Sequence, residues 1–367
     1  MQGVALLCAT LHWATLPAFS APLQLELPVT CTLPDGCLVQ NYVDVDPGPA
    51  ARDFLCRGAT YDGHKGTDFR VSSAGPDKTT VRAVAAGVVR GVRDGMVSQL
   101  VTSAQARRSV AGKECGNGVV IQHAGGWESQ YCHLAPGVQV RTGDEVRQGA
   151  VLGQMGASGL AQFIHLHLSL RKNGAVIDPF NGAAPSASAC RPRPTSAPAS
   201  SGAMWTSDAA AQLPGPRTRL LGAGFLGAPP SLLGLERGTD QRQAATATAG
   251  ALVYYARVMH AQKGDRVVLE LESPDRSPMT SVGDPIDRFK ATFFRFIGRR
   301  RPPGGWPRGV FRARLSLERG GQTVLRAQDS ISPANALALP TLHAPRCHQR
   351  HASSGAVRVS AGRRRSD

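Results

Sequence analysis

The run Ile164–Leu170 constrains the fold most, because apolar residues alternate in it with histidine and serine. Alternation of this kind predicts a β-strand whose successive side chains point to opposite faces of a sheet. The leucines of the run would then pack into a core, while His165 and His167 would be held on the other face. A lone histidine at such a position is more often a half-buried structural residue, but two on one face favour a metal site.

Two upstream motifs supply more ligand groups. His64 and Asp68 lie four residues apart, and Gly66 between them favours a turn leading into a strand over a helix. Zinc sites that do chemistry use three nitrogen or oxygen ligands from the protein and keep a fourth position open. His64, Asp68 and one histidine of the later pair make such a set. The motif Tyr131–Leu134 ends another strand-like run and adds the imidazole of His133.

Together these motifs resemble the lysostaphin-like, LytM-domain zinc endopeptidases, which cut peptide cross-links of peptidoglycan. The family pattern is His-x-x-x-Asp, then Tyr-x-His-Leu, then His-x-His, followed by a short hairpin and Asp-Pro. The resemblance spans residues 28 to 182, and its elements in this chain are His64 to Asp68, Tyr131 to Leu134, His165 to His167, Asn173 to Phe180, Gly116 to Ile121 and Gly143 to Gly149.

The resemblance implies a mainly β fold, with an antiparallel β-sheet metallopeptidase domain, and one Zn2+ bound by His64, Asp68 and His167. It also implies that His133 and His165 flank the metal without binding it. One of them would take a proton from the attacking water, and the other would stabilise the tetrahedral oxyanion and protonate the leaving amine. A glutamate base of the His-Glu-x-x-His kind is absent from the sequence.

The chain departs from the family pattern just before His-x-His. The family commonly has glycine and a small residue there, whereas this chain has Phe163 and Ile164. Because of this difference, the sequence does not determine the shape of the substrate groove, but the metal ligands are unaffected.

Two other functions are compatible with the same motifs. Some LytM-domain proteins are non-catalytic activators of other cell-wall hydrolases, and loss of metal ligands is expected in them. A secreted protease acting on Gly-rich protein would carry the same ligands as a peptidoglycan endopeptidase. Because this chain keeps every ligand, the sequence favours an enzyme.

The N-terminus predicts export to the periplasm or the extracellular space. Residues 1–20 contain no charged side chain, carry an apolar run and end in small residues, which is typical of a signal peptide. Removing them leaves an odd number of cysteines, which an exported chain can keep oxidised, at positions 31, 37, 56, 115, 132, 190 and 347.

Cys115 and Cys132 flank a hairpin turn and could form a disulfide beside His133. Cys132 as a zinc ligand is the competing interpretation. It is disfavoured because neighbours on a strand point to opposite faces. His123 lies in the same hairpin and is interpreted as a turn residue.

The length of 367 residues predicts two domains. Ala, Pro and Ser dominate the stretch after residue 183, which indicates a linker. Strand patterns over 251–258, 265–271, 290–296 and 310–317 predict a small β-sandwich-like C-terminal domain. The resulting division is a signal peptide at 1–20, a zinc metallopeptidase domain at 21–184, a linker at 185–204, a β-rich accessory domain at 205–329 and a disordered basic tail at 330–367.

The net charge of +16 does not by itself name a partner. The run Arg299–Arg301 and the C-terminal arginines are compatible with an anionic envelope surface or with a merely solvated basic surface. Nucleic acid is disfavoured because no nucleic-acid-binding motif accompanies the charge and export is predicted. The expected partners are therefore stem peptides or cross-bridges of peptidoglycan, bound by a monomer.

Overall fold

The computed structural model describes residues 23–33, 36–72, 78–192 and 204–333. The predicted signal peptide lies outside these residues, as do Cys347 and the tail beyond residue 333. The mainly β, antiparallel architecture expected from the sequence is confirmed.

The first part of the fold is built around one large sheet. Its elements are β1 (Cys37–Asn41), β2 (Thr67–Val71), β3 (Thr80–Arg82), β4 (Gly87–Arg93), α1 (Ala104–Ser109), β5 (Asn117–Gln122), β6 (Trp127–Leu134), β7 (Glu145–Val146), β8 (Val151–Gln154), β9 (His165–Lys172) and β10 (Ala175–Val176). The sheet has the order β1-β2-β9-β6-β5-β4-β7, with β10 added to β9, while β3 and β8 form a separate pair. A single turn of 3-10 helix at Ala124–Gly126 joins β5 to β6.

Strand β9 lies between β2 and β6, and its side chains alternate between the two faces of the sheet as the sequence predicts. Leu166, Leu168 and Leu170 are at most 2% exposed and belong to the core under the sheet. The register of β2 and β9 places Asp68 opposite His167. Directly opposed residues of an antiparallel pair share a face, so a carboxylate and an imidazole meet on the side away from the core.

The core of the first part is completed by residues beyond position 203. Trp205 is 2% exposed, and its ring centroid lies 6.3 Å from that of Phe69 and 5.6 Å from that of Phe180. Backbone hydrogen bonds join Leu25 to both neighbours of this tryptophan, from Leu25 N to Met204 O and from Thr206 N to Leu25 O. The chain therefore returns to the first sheet after the Ala/Pro/Ser-rich stretch.

The second part contains two further antiparallel sheets. Its elements are α2 (Ser207–Gln212), β11 (Arg219–Leu226), α3 (Leu232–Arg237), a 3-10 turn at Asp240–Arg242, β12 (Ala251–Ala261), β13 (Arg266–Glu272), β14 (Pro278–Val282), β15 (Lys290–Arg300), β16 (Phe311–Arg319) and β17 (Gln322–Ile331). The sheet orders are β11-β12-β15 and β14-β13-β16-β17. The four strands predicted here from the sequence are present as β12, β13, β15 and β16.

These two sheets share one apolar core. Alternate residues of β12, such as Tyr254, and of β16, such as Leu315, are almost fully buried in the same cluster. The second part also contacts the first, because Leu38 of β1 packs with Leu221 and Met259. The division into a metallopeptidase domain at 21–184, a linker at 185–204 and an accessory domain at 205–329 stays a prediction.

Three disulfides lie within the described residues, and they join Cys31 to Cys37, Cys56 to Cys190 and Cys115 to Cys132. The pairing of Cys115 with Cys132 confirms the disulfide proposed from the sequence. The bond from Cys56 to Cys190 ties the start of the predicted linker to the first part of the fold.

No helix of the described segments is long and apolar enough to cross a membrane.

Replacing Trp205 with alanine is expected to destabilise the protein by about 3–5 kcal/mol, because it would leave a cavity in the first core. Urea unfolding of the full chain measures this change. Trp127→Ala is a matched control, since Trp127 is only partly buried and its ring lies against the Lys172 ammonium. An equal or larger loss in the control would contradict the packing role assigned to Trp205.

Candidate active site

His64, Asp68 and His167 form a compact cluster on the face of the sheet away from the core. His64 Nε2 lies 3.2 Å from Asp68 Oδ1 and 3.1 Å from His167 Nδ1. Asp68 Oδ1 lies 2.8 Å from His167 Nδ1. The side chains of His64 and Asp68 are at most 2% exposed, and that of His167 is 18% exposed. One donor atom from each residue thus converges on a common point that is open to solvent on the His167 side.

The rest of each side chain is held by another group. His64 Nδ1–H donates to Tyr42 O at 2.6 Å, and His167 Nε2–H donates to Ser169 Oγ at 3.0 Å. The second oxygen of Asp68 accepts from the side-chain amide of Asn41 at 2.8 Å. Because a carbonyl oxygen can only accept, the nitrogen of His64 that faces it carries the hydrogen. The lone pair of Nε2 is therefore directed into the cluster.

Gly66 gives His167 room to reach this cluster. A Cβ built at this position would lie 2.6 Å from two atoms of the His167 ring and 2.7 Å from Leu168 O. These distances are shorter than any normal contact, so a larger residue would displace the imidazole. The glycine between His64 and Asp68 therefore serves the ligand that comes from the distant strand β9.

His133 reaches the same face through an irregular backbone. Its φ angle is 65°, in the left-handed region that non-glycine residues seldom adopt, and the pairing of β5 with β6 shifts register beside it. Its Nδ1–H donates to Ser158 O at 2.8 Å, so Nε2 is the ring nitrogen left for chemistry. Strained residues of this kind cluster at functional sites.

His165 lies next to His133, with 4.6 Å between the ring centroids. Its Nδ1–H donates to Phe163 O at 2.8 Å, and its Nε2 lies 3.7 Å from Asp68 Oδ1. The ring of Phe163 also stacks on the His165 ring, with 4.2 Å between centroids and 23° between planes. The residue that departs from the family pattern thus orients His165 with both its carbonyl and its ring.

Burial and neighbouring charges give the residues of the site different protonation states at neutral pH. Burial lowers the pKa of His133 to about 3, with His165 and His167 adding to the effect, and burial lowers the pKa of His165. Burial alone would raise the pKa of Asp68, but the imidazoles of His64 and His165 outweigh it and hold that pKa well below its usual range. At neutral pH the site therefore holds a carboxylate beside neutral His133 and His165.

The structure corrects the reason for excluding Cys132 as a ligand. Cys132 lies directly opposite His167, so its side chain is on the same face as the cluster. The backbone irregularity at His133 breaks the alternation that was expected to send these neighbours to opposite faces. Cys132 is excluded as a metal ligand because its sulfur is bonded to Cys115, and not because of strand alternation.

Several groups that support the site were not identified from the sequence. They are backbone carbonyls or side chains that belong to no metal-ligand motif, so the spacing of residues in the sequence does not point to them. They are Tyr42 O, Ser158 O and Phe163 O on the imidazoles, Asn41 on Asp68 and Ser169 on His167. His123, interpreted as a turn residue, is buried, with its two ring nitrogens facing Ala86 O and Ser129 Oγ.

The cluster fits a metal ion. Ligand atoms placed about 2.1 Å from a tetrahedral zinc lie about 3.4 Å from one another. The three observed separations among His64, Asp68 and His167 are slightly shorter than that, and the donor atoms of all three lie within 4.8 Å of one another. Outer hydrogen bonds to every ligand candidate complete the arrangement typical of a protein metal site.

Residues 62–179 match the family model described as Peptidase family M23. This segment is therefore similar to the M23 peptidases. The match contains all five candidate site residues and confirms the family resemblance drawn from the motifs.

Similar proteins agree with this assignment. The chain is 34% identical over 124 residues to the DD-carboxypeptidase/endopeptidase Mpg of Neisseria meningitidis serogroup B, covering 33% of this chain and 23% of that protein. It is 34% identical over 82 residues to the cell division protein DipM of Caulobacter vibrioides, covering 22% of this chain and 13% of that protein. The chain thus spans less than a quarter of the length of these curated relatives.

A solved structure covers the same region. The catalytic domain of lysostaphin from Staphylococcus simulans aligns with a TM-score of 0.24 at 20% identity, covering 38% of this chain and 85% of that chain.

Asp178, in the Asp-Pro motif that closes the M23 domain pattern, lies outside the metal cluster. It is fully buried, its Oδ1 accepts from Phe180 N at 2.8 Å, and its other oxygen has no hydrogen-bond partner among the described residues. Burial raises the pKa of Asp178 from 3.8 to about 7, with the neighbouring charge of Asp53 adding to the effect. This aspartate is therefore a structural carboxylic acid under mildly acidic conditions.

Asp178 is expected to make the protein less stable as the pH rises. Its pKa is higher in the folded state than in the unfolded chain, so its stabilising contribution is complete below about pH 4 and is lost as the pH rises through about 7. Urea unfolding from pH 4 to 8 measures how the free energy of unfolding changes with pH. The slope of this dependence should flatten in Asp178→Asn. Asp94→Asn is the control, because Asp94 is exposed and its pKa is lowered instead. An unchanged slope in Asp178→Asn would contradict the assignment.

Proposed function

We propose that this protein is an exported zinc metalloendopeptidase that hydrolyses peptide cross-links of peptidoglycan. The observation that carries the proposal is the convergence of His64, Asp68 and His167, with two further imidazoles held beside them by backbone carbonyls. The M23 match of residues 62–179 and the similarity to the DD-carboxypeptidase/endopeptidase Mpg support the peptidase class. Three disulfides support export, because such bonds persist in oxidising compartments.

His64, Asp68 and His167 would hold the zinc through Nε2, Oδ1 and Nδ1. A zinc ion in such an open site supplies Lewis acidity toward a water molecule and a peptide carbonyl. Metal binding requires neutral imidazoles, so the ligand set would carry only the negative charge of the Asp68 carboxylate. A divalent cation would leave the site with a net positive charge that attracts a carbonyl oxygen.

His133 and His165 would move the protons of the reaction. Both are neutral at neutral pH, and both hold their hydrogen on Nδ1 against a loop carbonyl, so each has a basic Nε2. One of them accepts the proton of the attacking water. An imidazole protonated at Nε2 becomes a donor, which can stabilise the oxyanion of the tetrahedral intermediate and then protonate the leaving amine.

Digestion of purified sacculi beside a Gly-rich protein substrate tests the function. The proposal expects release of muropeptides from sacculi, with loss of activity on metal chelation and recovery on addition of zinc. Cleavage of the protein alone would instead favour a secreted protease. Sacculi left intact unless another cell-wall hydrolase is added would favour a non-catalytic activator.

Removal of a proposed ligand is expected to remove the metal. His64→Ala and His167→Ala should each purify with far less than one zinc per chain, because two remaining ligands cannot hold the ion against water. Elemental analysis of the full-length protein measures the zinc. His123→Ala is the control, since His123 is a buried histidine of the same domain that lies outside the cluster. Stoichiometric zinc in His64→Ala would overturn the ligand assignment.

His133→Ala and His165→Ala are expected to keep zinc but to lower kcat on cross-linked muropeptides. Proton transfer by a positioned side chain is worth about 100- to 10,000-fold, and donation to an oxyanion about 100- to 1,000-fold. Steady-state kinetics and elemental analysis of the same preparations measure both quantities. A His165→Ala protein that purifies without zinc would show that His165 is a ligand and would contradict this division of roles.

A further inference from the structure

One loop supplies the carbonyls that orient both proposed proton-transfer residues. The segment 156–164, called here the carbonyl loop, accepts from His133 at Ser158 O and from His165 at Phe163 O, both at 2.8 Å. The loop joins β8 to β9, so its position relative to the sheet depends on what packs against it. Any shift of the loop would turn the two imidazoles together.

Helix α3 of the second part packs against this loop. Leu233, which is half-buried, contacts the buried cluster of Leu100, Ala157 and Ala161, and the last two belong to the carbonyl loop. The helix itself is fixed to the second part by Leu235, which is 2% exposed and packs with β12. One side of α3 thus lies on the second part and the other on the carbonyl loop.

A buried ion cluster makes a second link between α3 and the loop. Glu236 of α3 accepts from Arg70 Nη2 at 2.7 Å and from Arg257 of β12. Arg70 is only 4% exposed, also donates to Gln40 Oε1 at 2.5 Å, and places its guanidinium carbon 4.8 Å from the ring centroid of Phe163. Phe163 in turn stacks on His165. A continuous series of contacts therefore joins Glu236 to the His165 ring through Arg70 and Phe163.

Glu236 is essential to this cluster because of its charge. It lies between two buried guanidinium groups, and both outweigh the burial that would otherwise raise the pKa of its carboxyl, so that pKa is lowered. Loss of its charge would leave Arg70 and Arg257 facing each other in a desolvated position. Breaking a buried ion pair on one side is strongly unfavourable, so the arginines would have to move apart.

We propose that helix α3 is a positioning element for the reaction, and that Leu233 and Glu236 hold the carbonyl loop so that His133 and His165 point at the substrate. The inference rests on the proposed function. Since the metal ligands have their own partners in Tyr42, Asn41 and Ser169, α3 acts on proton transfer and leaves the ligands unaffected. Small misplacements of catalytic groups are costly, because proton transfer requires close and well-aligned donors and acceptors.

The test compares substitutions in full-length, zinc-loaded protein. Leu233→Ala removes the contact with the loop, and Leu233→Met restores its volume. Glu236→Gln removes the charge between the arginines. Asp265→Asn is the matched control, because Asp265 is a fully buried carboxylate that pairs with Arg319 inside the second part. We expect Leu233→Ala and Glu236→Gln to lower kcat about 10- to 100-fold with zinc content and KM nearly unchanged, and Leu233→Met and Asp265→Asn to keep kcat.

A spectroscopic measurement reports on the imidazoles without any activity assay. In protein labelled with 15N-histidine, the Nδ1–H groups of His133 and His165 should give protected ring signals, assigned through the His133→Ala and His165→Ala proteins. Leu233→Ala and Glu236→Gln should broaden both signals or speed their exchange with water. The Nδ1–H of His64, bound to Tyr42 O, is an internal reference that should stay unchanged.

The two measurements separate the inference from the proposed function. If the unaltered protein hydrolyses neither sacculi nor protein, the proposed function fails, while the ring signals still decide whether α3 positions the imidazoles. The inference is overturned if Leu233→Ala and Glu236→Gln leave the ring signals and kcat unchanged, or if they raise kcat. It is also overturned if Asp265→Asn lowers kcat and alters the signals as much as Glu236→Gln, since general destabilisation would then explain both.

Discussion

The pairing of β2 with β9 is the constraint on which the rest of the site depends. It places Asp68 opposite His167 and Arg70 opposite His165 on one face, while Phe69 and the β9 leucines fill the core below. Full burial of an aliphatic or aromatic side chain contributes about 1.5–3 kcal/mol, so this underside stabilises the pairing strongly. That stability holds a carboxylate and several imidazoles close together on the opposite face. A shift of one residue would send the ligands into the core and the leucines into solvent.

Backbone carbonyls decide what each imidazole can do. His64, His133 and His165 all donate from Nδ1 to a carbonyl oxygen, at Tyr42, Ser158 and Phe163 respectively. A carbonyl cannot donate in return, so each ring presents a lone pair at Nε2. The difference in role then comes from position, because the Nε2 of His64 lies in the ligand cluster while His133 and His165 stand beside it. Preorganised groups of this kind need little rearrangement during a reaction.

The first part of the fold, which contains the M23-like segment, is not isolated from the rest of the chain. Trp205 fills its core, the disulfide from Cys56 to Cys190 fastens the segment after it, and Glu236 forms an ion pair with Arg70 of β2. These contacts involve residues on both sides of the Ala/Pro/Ser-rich stretch. The second part therefore contacts the strand and the loop that hold the candidate site residues, and this is the physical basis of the role proposed for α3.

Local spacing and alternation were enough to recognise the family resemblance, the mainly β class and the side chains that cluster, because these patterns report directly on strands and ligands. His64, Asp68 and the histidines of β9 could be found this way. In the second part β11, β14 and β17 were missed. β11 is interrupted by Gly222 and Gly224, and β14 and β17 are largely exposed edge strands. Only the folded structure shows the left-handed backbone of His133, the carbonyl partners of the imidazoles, and the links of Trp205 and Glu236 to the first part of the fold. These features join residues that are far apart in the chain, and such contacts depend on how the sheets pack, for which local sequence carries no signal.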